Sequence, residues 1–164
     1  MAQEVGARLG QRKVLLAEVQ RLMFSRILYI PHDHLNTTHG VLKTANKSSD
    51  VIVLVESARM VTGRPWNKER LFFLLASARQ FASQLEQAGF TVRYLQAATT
   101  IDGLDAARAE FGPLPIHCAE PSSFRQYRQL QECGVQFVEN DLFLTTRKML
   151  GLWAESQKTF VMEN

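Results

Sequence analysis

Cysteine is scarce in this chain: Cys118 and Cys133 are the only two among 164 residues. They form no C-x-x-C pair and match no zinc-ligand spacing, which argues against a disulfide scaffold and a structural zinc module. A cuboidal iron–sulfur cluster commonly takes four thiolates, so these residues alone are not expected to hold one in that way. The expectation is two unpaired, buried thiols in a cytoplasmic protein. An excess of one charge is also lacking. Nineteen basic against 16 acidic side chains leave a net +3, too even to argue for direct nucleic-acid binding, which concentrates positive charge on one face. The basic residues near the start (Arg8, Arg12, Lys13, Arg21, Arg26) read as a solvated helix face. No apolar run approaches the roughly 20 residues that span a bilayer, so no membrane association is expected. Residues 14–17 are cut short by Glu18 before they could form a signal-peptide core.

Three nucleotide and hydrolase signatures are missing as well. No G-x-G-x-x-G follows a strand, so the dinucleotide fingerprint is absent. No G-x-x-x-x-G-K-[ST] exists to cradle phosphates. No G-x-S-x-G presents a nucleophilic serine.

What is present is an alternation of short apolar runs and amphipathic stretches. Residues 26–31 and 51–56 are continuous apolar runs, the pattern of strands buried on both faces. Residues 91–95, 115–119 and 135–138 supply three more. Between them, residues 68–88 place Leu71, Leu74, Leu75, Ala78, Ala82 and Leu85 on one helical stripe, widened by Phe72, Phe73 and Phe81. Asn67 is the expected N-cap and Gly89 the left-handed stop. On that pattern Leu71→Ala would cost about 2–5 kcal/mol, as for a core leucine. Residues 101–111 form a shorter helix. Pro121 is expected to open another, with Phe124, Tyr127 and Leu130 on one side, and residues 145–156 form the last. Residues 1–24 read as a helical extension and 25–164 as a single α/β domain. The alternation predicts a Rossmann-like three-layer sandwich around a five-stranded parallel sheet, strand order 3-2-1-4-5.

In such a sheet ligands sit beyond the carboxyl ends of the strands, where the strand order reverses. Three loops reach that edge: 31–40, 56–68 and 120–123. Glu56 and Glu120 each end a strand, where a carboxylate can meet either a ligand or a nearby arginine. Lys68, flanked by Arg64 and Arg70, stands at a helix start that could meet an anion. His32 and His34 bracket Asp33. In extended backbone the two imidazoles would point the same way and could share a metal with His39, Glu56 or His117. A small metal-dependent enzyme built on that loop is therefore one alternative, and a protein-interaction module, with a possible homo-oligomer, is another.

Four segments carry a family resemblance. They are the His32-Asp33-His34-Leu35 turn after the first strand, and the acidic end of Val53-Leu54-Val55-Glu56. Next comes Trp66-Asn67-Lys68-Glu69-Arg70 leading to Ser77-Ala78-Arg79-Gln80-Phe81-Ala82. Last come Glu120-Pro121 with Arg125, the Glu139–Leu144 segment, Trp153 and the Phe160–Asn164 ending. In order and spacing these resemble the photolyase-related proteins of bacteria, the branch of the photolyase/cryptochrome family whose catalytic half carries an iron–sulfur cluster. The resemblance covers residues 26–164. It implies the family's N-terminal domain, which holds a ribityllumazine-type antenna chromophore and passes excitation to a flavin that repairs DNA. By position it implies Asp33, Val55, Glu56 and Lys68 near the chromophore, with His32 and Met60 at altered places and Trp66 able to stack. Where the family has glycine and glutamine in the turn, this chain has His32 and His34, and Trp66 and Asn67 replace its paired histidines. The implied partner is a helical flavin domain in cis or trans. No FAD site and no cluster are expected within these residues, and no catalysis by them alone.

Overall fold

The computed structural model describes residues 23–157. The predicted helix over residues 1–22 and the Phe160–Asn164 ending lie outside them. Five strands form one parallel sheet: β1 Arg26–Tyr29, β2 Asp50–Ser57, β3 Thr91–Ala97, β4 Ile116–Ala119 and β5 Gln136–Val138. Their spatial order is β3-β2-β1-β4-β5, with every neighbouring pair parallel. This is the predicted α/β Rossmann-like arrangement and strand order. The helices are α1 Ala58–Thr62, α2 Lys68–Gln87, α3 Thr100–Phe111, α4 Phe124–Glu132 and α5 Arg147–Ser156, with a 3-10 turn at Gly40–Thr44. No helix among the described residues is long and apolar enough to cross a membrane.

The central strands are apolar at consecutive positions because both faces are covered. Ile27, Tyr29, Val51, Val53 and Val55 face a layer made by Leu104, Ala107 and Phe111 of α3 and Leu130 of α4. Leu28, Ile30, Ile52 and Leu54 face Ala78, Phe81, Ala82 and Leu85 of α2, with Val41 and Leu42 of the 3-10 turn. At the amino edge, Asp50 is 1% exposed and takes both arms of Arg26, from Nε and Nη2 at 2.9 Å each. That pair ties the start of β1 to the start of β2.

Several expectations need correction. The buried residues of α2 all lie in its second half, and Phe72 and Phe73 are 75% and 72% exposed. Twenty residues of helix measure about 30 Å. The first turns therefore run past the carboxyl edge of the sheet, where no strand remains to cover them. Leu71 is only half-buried there. The helix after β4 starts at Phe124 rather than at Pro121, because Ser123 Oγ accepts from the Gln126 N–H and caps it. Phe124 is 67% exposed, and Tyr127 stacks on Phe137 at 4.6 Å. Both cysteines are free, but only Cys118 is buried; Cys133, at the end of α4, is half-buried. As predicted, Asn67 caps α2 by accepting from the Arg70 N–H, and Gly89 follows that helix at φ 91°.

Leu85→Ala should cost about 2–5 kcal/mol, since that side chain is 2% exposed. Leu71→Ala should cost clearly less, about 1 kcal/mol, because its site is already open to water. Urea midpoints of the two variants check the order; equal losses would contradict this account of α2.

Candidate functional site

The carboxyl ends of β1 to β4 open into a crevice of about 630 Å³, within the usual range for small-ligand sites. Four loops build it. The β1 loop contributes His32 and Asp33. The β2 end and the turn after it contribute Val55, Met60 and Trp66. Thr99, Thr100 and Ile101 come from the start of α3, and Ser123, Arg125 and Gln126 from the start of α4. Five of the seven positions singled out in the sequence (His32, Asp33, Val55, Met60, Trp66) therefore share one space, while Glu56 and Lys68 do not line it.

Local chemistry explains the shape of each wall. Ser57 Oγ accepts from the Met60 N–H at 3.1 Å and starts α1, a short helix inside what the sequence suggested was loop. Trp66 Nε1 donates to the Met60 carbonyl at 2.7 Å, which folds the segment after α1 back on itself. One face of the Trp66 ring carries the Arg64 guanidinium at 3.8 Å from its centre. The helix α3, whose first residues line the same crevice, comes very close to β2. A Cβ at Gly103 would overlap both methyls of Val55, so glycine is required for that approach.

Glu56 points away because side chains alternate along a strand. Val55 and Ser57 reach the crevice, and Glu56 between them faces α2. There it accepts from Arg79 Nη2 at 2.7 Å, from the Tyr94 hydroxyl at 2.8 Å and from Gln96 at 3.3 Å. Burial works against its charge, but Arg79 and Tyr94 outweigh burial and hold the carboxyl below its usual range. Burial and that carboxylate together push the Tyr94 hydroxyl up to about 12. Glu56 is thus a saturated structural carboxylate. Lys68 is exposed at the first position of α2. Arg70 and Leu74, one turn apart, face the crevice, and Lys68 lies about 200° around the helix from Arg70.

The two imidazoles also part. The backbone turns at this point, with the His34 N–H donating to the Pro31 carbonyl at 2.9 Å. An extended segment would have aligned His32 with His34; the turn sends His34 into a separate small hollow beside Asn140, whose amide lies 3.4 Å from His34 Nε2. Among the described residues no three His, Cys, Asp or Glu side chains gather as a metal set. Glu120 meets Arg147 at 3.8 Å. Burial depresses the titration of both His32 and His34, against the opposing pull of Glu56 and Asp33 on His32 and of Asp33 on His34. Among the described residues, His32 Nε2 at the crevice wall and His34 Nδ1 away from it are buried without a hydrogen-bond partner. Such atoms are uncommon in folded proteins and mark places where a ligand, water or ion completes the set.

Sequence reasoning carried Arg59 to this edge within the 56–68 loop without singling it out, and did not place Thr99, Thr100 and Gln126 at this site. The readable signal was the loop after β3, which also reaches the carboxyl edge; the ligand position had been set by the β1–β4 reversal alone.

These features define a parallel, doubly covered α/β domain of Rossmann-like type with a polar crevice at the strand ends, the edge at which open sheets of this class commonly take ligands. The sequence model of the family described as "Deoxyribodipyrimidine photo-lyase-related protein" matches residues 28–164, and the chain belongs to that family. It is also similar to a protein named "(6-4) photolyase" from Agrobacterium fabrum (strain C58 / ATCC 33970), 26% identical over 155 residues that cover 85% of this chain and 30% of that protein. The chain thus spans about a third of the length of that relative.

Two outcomes follow from this geometry. Gly103→Ala should force α3 off Val55 and cost about 1–3 kcal/mol by overpacking, read as a lowered urea midpoint. The second concerns acid. His32, His34 and His117 all titrate below their ordinary value when folded. The unfolded chain therefore binds more protons between those points and about pH 6.5. The stability they contribute is full above about pH 6.5 and drains as pH falls through their folded values. Urea unfolding at about pH 7.5 and pH 5.5 should show this loss, and His34→Gln should shrink it.

Proposed function

We propose that this chain is the chromophore-holding module of a photolyase-related flavoprotein and performs no catalysis by itself. The observation that carries the reading is the strand-end crevice, in which His32, Asp33, Val55, Met60 and Trp66 stand together. Its lining suits a heteroaromatic ring with a polyhydroxyl chain, of ribityllumazine type. Val55, Met60, Ile101 and Leu130 supply apolar contact, while Asp33, Thr99, Thr100 and Gln126 supply hydrogen-bonding groups. The ring, when bound, absorbs near-ultraviolet to violet light and makes that energy available to a flavin. The protein's own residues orient the ring, and half-buried His32 offers its buried Nε2 to it.

The flavin would sit in a helical partner domain, in cis or in trans, and light-driven DNA repair would be the work of that assembly. An apolar surface supports such a partner: Leu144 is fully exposed, and Met149, Leu150, Leu152 and Trp153 of α5 are each more than half exposed. Contiguous exposed apolar side chains of this kind mark interaction faces. The cytoplasm is the proposed setting, where free thiols such as Cys118 and Cys133 stay reduced.

The test is an absorbance titration of the purified chain with dimethyl-ribityllumazine. Saturable binding with a shifted near-ultraviolet band is expected, weakened about tenfold or more by Met60→Glu, which sets a charge against the ring. No spectral change at saturating protein would refute the reading.

A further inference from the structure

The crevice carries more positive charge than an uncharged ring needs. Arg59, Arg64, Arg70 and Arg125 all line it, and Asp33 is the one carboxylate among its lining residues. None of these four guanidiniums forms an ion pair with a described residue. The pairs that other arginines make (Arg26, Arg79, Arg93, Arg108, Arg128 and Arg147) lie elsewhere. The chain as a whole is nearly balanced, at 19 basic to 16 acidic side chains, so this local imbalance is not an effect of general composition. Arg64 and Arg70 lie over Trp66 at 3.8 and 5.8 Å from its ring centre. Arg59 and Arg125 have no such partner and are exposed.

The helix ends add to this field. The first residues of α3 and α4 border the crevice, and Arg70 brings in the first turn of α2. Helix starts present partial positive charge and free N–H groups. In α2 and α3 an acidic residue in the first turn, Glu69 or Asp102, offsets that charge. In α4 there is none, and Arg125 stands there instead. Like charges gathered around one concave space repel one another, and a bound anion relieves that cost while gaining charge-assisted hydrogen bonds.

We infer that the ligand of this crevice is a phosphate ester: a planar heteroaromatic ring whose sugar-like chain ends in a phosphate, held by Arg59 and Arg125 with the start of α4. This rests on the chromophore reading above and narrows it to an anionic member of that ligand class.

Riboflavin and flavin mononucleotide differ only by the phosphate and serve as the paired probes, with dimethyl-ribityllumazine as the uncharged reference. Flavin mononucleotide should bind the purified chain at least about tenfold more tightly than riboflavin. That advantage should fall by about fivefold or more in Arg59→Gln and in Arg125→Gln, exposed positions whose change leaves the fold intact, and should shrink as salt rises from about 50 to 500 mM. Riboflavin affinity should fall by clearly less than that of flavin mononucleotide in both variants. Equal affinity for the two flavins, or binding of the lumazine alone, overturns the phosphate inference and leaves the chromophore reading standing. No binding of any of the three overturns both. Tighter binding of a single-stranded oligonucleotide than of flavin mononucleotide, lost in the same two variants, overturns the inference in favour of a nucleic-acid surface.

Discussion

The structure depends on burying β1 and β2 on both faces at once. Their backbone donors and acceptors are spent on parallel neighbours, and their side chains, apolar at consecutive positions, meet helices above and below. Such strands have no room for unpaired polar groups along their length. Polar chemistry is therefore displaced to the strand ends. At the amino edge it becomes the Arg26–Asp50 pair, which is structural. At the carboxyl edge four loops diverge and leave a crevice that protein atoms do not fill.

The same constraint separates residues that are adjacent in the chain. Val55 and Glu56 are neighbours, yet pleating sends one to the crevice and the other into the grip of Arg79 and Tyr94. His32 and His34 would have shared a face in extended backbone, but the chain turns as soon as β1 ends. One imidazole then lines the crevice and the other packs beside Asn140. The polar edge is thus divided between groups that fasten the domain and groups left facing an open space. Membership of the photolyase-related family gives that space a context, and on the same domain Leu142, Phe143, Leu144 and the apolar side chains of α5 stand exposed.

Most of the architecture was legible in the residues. The uninterrupted apolar runs marked the buried strands, and the caps Asn67 and Gly89 bounded the longest helix. Right-handed crossovers then left few orders for the sheet. What misled was periodicity read without length. The stripe through Leu71, Phe72 and Phe73 is amphipathic enough to look buried, but that half of α2 lies beyond the sheet it was expected to cover. Ser123 similarly displaced Pro121 as the opening of α4, because a side-chain oxygen that satisfies a free N–H starts a helix more firmly than a fixed φ does.

The five strands, the longer helices and three of the loops at the carboxyl edge follow from local pattern and the need to bury apolar runs, and were readable from the residues alone. Which of those loop side chains face one another was settled by how the layers pack. Arg59, Arg64, Arg70 and Arg125 come from separate turns and helix starts, and their meeting around one crevice depends on the parity of the pleat, the turn at His32–His34 and the close seat of α3 on Val55 at Gly103. Those are long-range geometric facts, set by how layers pack, and no spacing along the chain encodes them.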